Sequence, residues 1–65
     1  MFFEFKTRKN EIVSININKI LFITSTKYGT CLLDDEGNDY ECNEPYENFM
    51  QRLFNTISQN KWQNV

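Results

Sequence analysis

The two cysteines, Cys31 and Cys42, are the most reactive side chains of this 65-residue chain, which contains no histidine. A thiol becomes a nucleophile when a nearby base or cation favours its thiolate, and no such partner is evident in the sequence. Two cysteines also fall short of the four ligands of a structural zinc site. We therefore expect free thiols, half-buried or in the core, with a disulfide or redox pair as the alternative.

The relative position of the cysteines depends on the turn around Gly37. A two-residue loop at Glu36-Gly37 would place Cys31 directly opposite Cys42, on the same face of a hairpin. A three-residue loop with Gly37 in the left-handed conformation would instead place Cys42 opposite Thr30. The second register suits Gly37 better, because glycine adopts positive φ without a steric cost.

Acidic residues crowd the same hairpin. Residues 34–47 carry seven carboxylates and no base, among them the candidate partner contacts Asp34, Asp35, Glu36 and Asp39. A catalytic acid needs burial to shift its pKa, and the cluster lacks the spacing of a calcium loop. We expect no catalytic residue, no metal and no cofactor, and we interpret the cluster as a solvated face or as a phosphate mimic that contacts a basic protein.

Basic residues lie in the other half of the chain. Residues 1–33 carry five Lys or Arg against two acids, and the candidate nucleic-acid contacts at two predicted turns are Lys6, Arg8, Lys9, Lys27 and Tyr28. A basic turn with an aromatic side chain suits a nucleic-acid backbone. The sequence pI of about 4.9 argues against that use.

Alternating apolar residues predict five strands before one helix. The predicted strands are Phe2–Thr7, Glu11–Ile17, Ile20–Thr26, Thr30–Leu33 and Asp39–Cys42. Apolar residues at three-and-four spacing after Asn43 and Pro45 predict an amphipathic helix over about 44–60, with a frayed tail at 63–65. We predict one α+β domain over 1–65, a small antiparallel β-meander of four to five strands capped by the C-terminal helix.

The apolar side chains outnumber the positions that one helix on one sheet face would bury. We expect the core to consist mainly of Phe3, Phe5, Val13, Ile15, Ile20, Phe22, Leu32, Tyr40, Phe49, Leu53, Phe54 and Ile57. The remaining large apolar residues are Phe2, Ile12, Leu21, Ile23 and Trp62, which we predict form an oligomer face. No apolar run approaches the roughly 18 residues of a membrane span, so we expect no membrane partner and a cytoplasmic location.

Residues 17–53 resemble the first part of LytTR-type DNA-binding domains. The matching positions are Ile17, Ile20, Phe22, Ile23, Tyr28, Gly37, Tyr40, Tyr46, Phe49 and Leu53. Small FlbD-like proteins and short phage proteins resemble this chain about as closely as LytTR-type domains do. The family's DNA-contacting segment follows this helix and has an F-x-x-x-H-R-S-like motif, which residues 54–65 lack. The resemblance therefore implies the fold of a bacterial or phage accessory protein and does not imply DNA reading.

Three functions remain as hypotheses. The first is a non-enzymatic protein-interaction module that forms a homo-oligomer and binds an unidentified protein partner. The second is a nucleic-acid-binding accessory protein that uses the basic turns. The third is an acidic inhibitor that mimics phosphates at a basic protein site.

Overall fold

The computed structural model describes the backbone of residues 1–63 and the side chains of residues 1–59. Five antiparallel strands precede one C-terminal helix, which confirms the α+β class. The elements are β1 (Phe2–Lys6), β2 (Ile12–Asn16), β3 (Ile20–Thr26), β4 (Gly29–Asp34), β5 (Asp39–Cys42) and α1 (Tyr46–Gln63). The strands divide into two sheets, β1-β2 and β3-β4-β5, joined by a 3₁₀ turn at Ile17–Lys19.

The β1-β2 hairpin follows the alternation of its sequence. Phe3 lies opposite Ile15 and Phe5 lies opposite Val13, and these four side chains face the core. The turn closes with a 2.8 Å bond from the backbone N–H of Thr7 to the carbonyl of Glu11. The period of two therefore predicted both the strands and their buried face.

The β4-β5 hairpin adopts the three-residue loop. The backbone N–H of Asp34 donates to the carbonyl of Asn38 at 3.0 Å, and Gly37 has a φ of 86°. Cys42 is consequently opposite Thr30, as the left-handed conformation of Gly37 predicted. Cys31 and Cys42 belong to neighbouring strands but are not directly opposed.

Strand β3 contains a β-bulge that the sequence did not reveal. Ile20 pairs with Asp34 and Phe22 pairs with Leu33, so Leu21 is the extra residue between them. A bulge shifts the alternation of all residues on one side of it. Phe22 is therefore 53% exposed instead of buried, and Ile23 packs against the core instead of facing solvent.

Helix α1 places its buried residues four positions apart. Phe49 and Leu53 are buried, and Ile57 packs at the edge of the same core. Phe54 is 60% exposed, which corrects its assignment to the core, because one helix in contact with a small sheet buries only a narrow stripe. The helix extends through Gln63, beyond the expected end at about residue 60, while Asn64 and Val65 of the predicted tail lie outside the described residues.

Aromatic side chains join the elements in one core. The ring of Phe49 meets that of Phe3 at 5.3 Å in an edge-on arrangement, and the ring of Phe5 lies 5.6 Å from that of Tyr40. Cys42 also belongs to this core, with 1% exposure. These contacts connect β1, β5 and α1, so that both sheets share one apolar interior.

Arg52 links helix α1 to β1 and to the segment that precedes the helix. Its guanidinium donates two bonds to the carboxylate of Glu44, at 2.9 and 2.8 Å, and a third to the backbone carbonyl of Glu4 at 3.1 Å. It also lies 5.0 Å from the centre of the Phe3 ring. The hydrogen bonds with Glu44 raise the pKa of Arg52, which remains charged.

Candidate interaction surfaces

The two predicted basic turns meet in space around Tyr28. The guanidinium carbon of Arg8 lies 4.4 Å from the centre of the Tyr28 ring, and the ammonium of Lys27 lies 5.1 Å from it. The turn between β1 and β2 is thus adjacent to the turn between β3 and β4. Both cations lie within the distance at which a ring quadrupole attracts them.

Carboxylates lie beside the Arg8 end of this basic cluster. Arg8 and Lys9 line a cleft of about 490 Å³ together with Glu11, Asp39 and Glu41. The Arg8 guanidinium forms a 2.9 Å ion pair with Glu41. A phosphate entering the cleft would meet three carboxylates beside two cations, which weakens the electrostatic attraction for nucleic acid.

Lys6 and Lys27 extend the basic surface in different directions. Lys6 ends β1 opposite Ile12, on the outer face of the first hairpin. Lys27 borders a second cleft of about 410 Å³, which is also lined by Pro45 and Tyr46. The five predicted basic and aromatic contacts therefore do not form one continuous groove.

Asp34 differs from the other acidic candidates because it is buried, with 6% exposure. One carboxylate oxygen accepts bonds from the backbone N–H groups of Glu36 at 2.9 Å and Asn38 at 2.8 Å. The other accepts a 3.1 Å bond from the Asn38 amide. Burial raises the pKa of Asp34, but the hydrogen bonds from Asn38 and Glu36 outweigh it and leave the pKa below 3.8. This carboxylate shapes the hairpin and does not face a partner.

The remaining acidic candidates are exposed. Asp35 and Glu36 lie near the ammonium of Lys19, at 3.9 and 3.5 Å, and the backbone N–H of Asp35 bonds to the Lys19 carbonyl. Asp39 begins β5 beside the cleft described above. A phosphate-mimic surface stays a prediction that now involves three residues instead of four.

Three of the five apolar candidates face solvent. Phe2, Ile12 and Leu21 are 65%, 68% and 63% exposed. Phe2 and Ile12 lie at opposite ends of the first hairpin, because Phe2 pairs with Asn16. The side chain of Trp62 lies outside the described residues.

Phe22 and Phe54, which were expected in the core, are exposed apolar residues. Phe22 adjoins Leu21 at the bulge, so two large apolar side chains are consecutive and exposed at this end of β3. Four consecutive apolar residues, Ile20 to Ile23, contain the bulge. A run without a polar residue gives no alternation, so it does not indicate which side chain is the extra one.

The thiols are held in their neutral forms. Burial raises the pKa of Cys42 to about 11 and also raises that of Cys31. Both cysteines are free. A protonated thiol is a weak nucleophile, so these environments suit packing better than reaction.

Comparisons with known proteins identify no family: no family model matches the chain, and curated proteins and solved structures give no significant match. The resemblance to LytTR-type domains therefore stays a prediction. Among the described residues, no helix is long and apolar enough to cross a membrane. The same part of the chain contains no group of three or more potential metal ligands.

Proposed function

We propose that this chain is a small non-enzymatic protein-interaction module that associates with a second copy of itself. The observation that carries the proposal is the exposure of two consecutive large apolar side chains, Leu21 and Phe22, on a strand at the edge of a sheet. Exposed apolar side chains grouped in this way mark interaction sites more often than isolated ones do. Burying them against a second copy would remove this apolar surface from water.

The size of the domain supports the same proposal. Seven apolar residues are buried within the described part of the chain, a small core for a fold near the lower limit of independent stability. A dimer interface extends the core of each copy without lengthening the chain. Self-association therefore offers stability as well as recognition.

Support for a non-enzymatic role comes from the state of the ionisable groups. The thiols have raised pKa values, and the one buried carboxylate, Asp34, has a lowered pKa because its own loop donates hydrogen bonds to it. These shifts favour unreactive thiols and an ionised carboxylate at neutral pH. General acids and nucleophiles usually show the opposite shifts.

The meeting of Arg8 and Lys27 at Tyr28 favours nucleic-acid binding as a second candidate function. Two cations from different turns and one exposed aromatic ring form a small cationic surface. Binding through this surface would depend steeply on salt, because it would release condensed counterions. We rank this candidate below self-association, because the carboxylates of the adjacent cleft weaken the attraction for nucleic acid.

Light scattering after size-exclusion chromatography tests both functions. The protein is measured over a range of concentrations at low and high salt, with and without a short mixed-sequence DNA duplex. A dimer whose mass is insensitive to salt and to DNA supports the interaction module. A monomer at all concentrations contradicts self-association, and a monomer that shifts onto DNA only at low salt supports the second candidate. Tyr28→Ala then tests whether the Tyr28 surface is responsible.

A bacterial or phage accessory role and a cytoplasmic location belong to the same proposal. They rest on the LytTR-like and phage-like pattern of residues 17–53 and on the composition of the chain. A protein partner other than a second copy is also part of the proposal. Its surface would be the side chains that remain exposed in the dimer, among them Phe2 and Ile12.

A further inference from the structure

The outer edge of β3 offers backbone hydrogen bonds to a partner strand. The strand order β3-β4-β5 leaves one side of β3 open, and no backbone bond to residues 21–26 crosses that side in the region that the structure describes. Leu21, Phe22 and residues 24–26 are all exposed. An edge strand of this kind is a template for another strand.

The hydrogen-bonding pattern of the sheet indicates which residues of β3 have free backbone groups. Hydrogen-bond directions alternate along an antiparallel strand, and Asp34 bonds to Asn38 on the β5 side of β4. With the register of β3 and β4, this alternation directs the N–H and C=O groups of Ile23 and Ser25 away from β4. The Ser25 carbonyl receives only a 3.5 Å contact from the hydroxyl of Thr24.

The composition of the strand favours a second copy as the occupant. Residues 20–26 carry no charge, and the nearest charged residues along the chain are Lys19 and Lys27. An uncharged strand pairs with itself without opposing like charges, provided that the register keeps Lys19 away from the partner's Lys27. Edge strands that remain unpaired usually carry a charge that prevents such pairing.

The bulge selects the register. Regular pairing begins after Leu21, so the regular part of β3 extends from Phe22 to Thr26 and is centred on Thr24. A two-fold axis at Thr24 pairs this whole regular part with its copy. A two-fold axis at Ile23 would instead oppose Lys19 and the partner's Lys27, which carry like charges.

We propose that two copies of the chain pair through β3, antiparallel around a two-fold axis at Thr24, to form one continuous six-stranded sheet. Ile23 then exchanges backbone bonds with the partner's Ser25, and Phe22 lies beside the partner's Thr26. Thr24 faces its own copy in a non-hydrogen-bonded pair, where the side chains approach most closely. This inference rests on the proposed self-association and specifies its contact.

A cysteine at the symmetry axis tests the register directly. In a non-hydrogen-bonded antiparallel pair the Cα atoms are about 4.5 Å apart, within the range of a disulfide. Thr24→Cys is made with Cys31→Ser, because Cys31 pairs with Thr24 within the chain and would compete for the new thiol. Cys42 is kept, since it is buried. The protein is oxidised with oxidised glutathione, and the linked peptides are identified by mass spectrometry.

The matched control is Ser14→Cys with Cys31→Ser, which places an exposed thiol on β2 of the other sheet. We expect a covalent dimer linked through position 24 to form about tenfold faster than one linked through position 14. Equal rates at the two positions would overturn the proposed pairing. Faster linkage of Ile23→Cys than of Thr24→Cys would overturn the register.

A charge at the axis provides a second test that needs no oxidation. Thr24→Lys opposes two ammonium groups across the axis, and we expect dimerisation to weaken about tenfold or more, whereas Ser14→Lys leaves it unchanged. Light scattering measures the mass of each variant, and circular dichroism checks that it is folded. A Thr24→Lys variant that remains a dimer overturns pairing through β3 and leaves self-association intact. A wild-type chain that is monomeric throughout overturns both proposals.

Discussion

The two edges of the three-stranded sheet are built differently. Edge strand β5 carries the exposed acids Asp39 and Glu41, and the backbone N–H of Arg8 bonds to the Glu41 carbonyl at 2.8 Å. The guanidinium of Arg8 also pairs with the Glu41 carboxylate. Edge strand β3 has no charge from Ile20 to Thr26 and no such cover among the described residues.

The contrast shows which edge is closed within the chain and which is available. A charged strand whose outward carbonyl is already bonded cannot readily accept a further strand, because like charges and the existing bond both oppose pairing. An uncharged strand with free backbone groups can. The closed edge therefore depends on contacts inside the domain, whereas the open edge lacks such contacts.

The largest effect is expected at Gly29, where β4 passes close to the segment that follows β5. A Cβ there would overlap the backbone carbonyl oxygen of Cys42 and lie 2.8 Å from the carbonyl carbon of Asn43, at a φ of 146°. Gly29→Ala is expected to lower the free energy of unfolding by about 3 kcal/mol or more, because neither backbone segment can move aside cheaply. Urea denaturation followed by circular dichroism measures the loss.

Gly37→Ala is the matched control for this substitution. Gly37 also has a positive φ, but a Cβ there would have no neighbour within 4 Å. Only the left-handed backbone then opposes alanine, and the expected loss is about 1 kcal/mol. Losses of similar size at the two glycines would contradict a steric overlap between a side chain at position 29 and the segment that follows β5.

A smaller effect is expected at Thr30, which holds the same segment through its side chain. The buried Thr30 hydroxyl donates a 2.8 Å bond to the backbone carbonyl of Glu44. Thr30→Val keeps the shape but leaves that carbonyl without its donor, and we expect a loss of about 1–3 kcal/mol in the free energy of unfolding.

Thr24→Val is the corresponding change at the open edge. The Thr24 hydroxyl makes only a 3.5 Å contact, so the expected change in monomer stability is within about 0.5 kcal/mol. Denaturation at low protein concentration compares the two variants. A larger loss for Thr24→Val than for Thr30→Val would contradict the inference that the Thr24 hydroxyl makes no stabilising contact within the domain.

The ion pair over β5 should have a still smaller effect. Arg8 and Glu41 are exposed, with side-chain exposures of 42% and 61%, so solvent weakens their attraction. A double-mutant cycle with Arg8→Ala and Glu41→Gln is expected to give a coupling of roughly 0.2–1 kcal/mol that decreases in high salt. Light scattering should show no assemblies larger than those of the wild type, because the backbone bond to Glu41 remains. Larger assemblies from Glu41→Gln would show that the carboxylate alone protects this edge.

The first hairpin and the β4-β5 turn were predictable because local rules decide them. Alternating residues defined the buried face of β1 and β2, and the preference of Gly37 for positive φ defined the register that separates Cys31 from Cys42. Each feature involves residues close together in the chain. Sequence patterns describe such features well.

Features decided by contacts between distant residues were missed. The bulge at Leu21 lies in an apolar run that lacks a pattern, so Phe22 was assigned to the wrong face. Nothing in the sequence distinguishes Asp34 from the neighbouring acidic residues, because it becomes buried only when its loop closes around it. The meeting of Arg8 with Tyr28 joins two turns that are far apart along the chain, and neither turn indicates the other.

The smallest effect is confined to acid and concerns the hairpin that ends in β5. Because the pKa of Asp34 is lower in the folded protein than its ordinary 3.8, its ionised form stabilises the fold above that value. The stabilisation is lost as the pH falls through the lower folded-state pKa. Carbon NMR of the Asp34 carboxyl group should give a titration midpoint below 3.8, and the amide of Asn38 should exchange faster once this group is protonated.

The two edges of the sheet should loosen at different pH values in the same titration. Strand β3 has no titratable side chain between Ile20 and Thr26, so protonation of Asp34 is expected to loosen the β4-β5 hairpin before it affects the dimer contact. Amide exchange at Ile23 and Ser25, the residues whose backbone groups face the partner strand, reports on that contact. Exchange at these two amides that accelerates together with exchange at Asn38 would mean that the edges open as one unit, and the contrast between them would then not extend to their stability in acid.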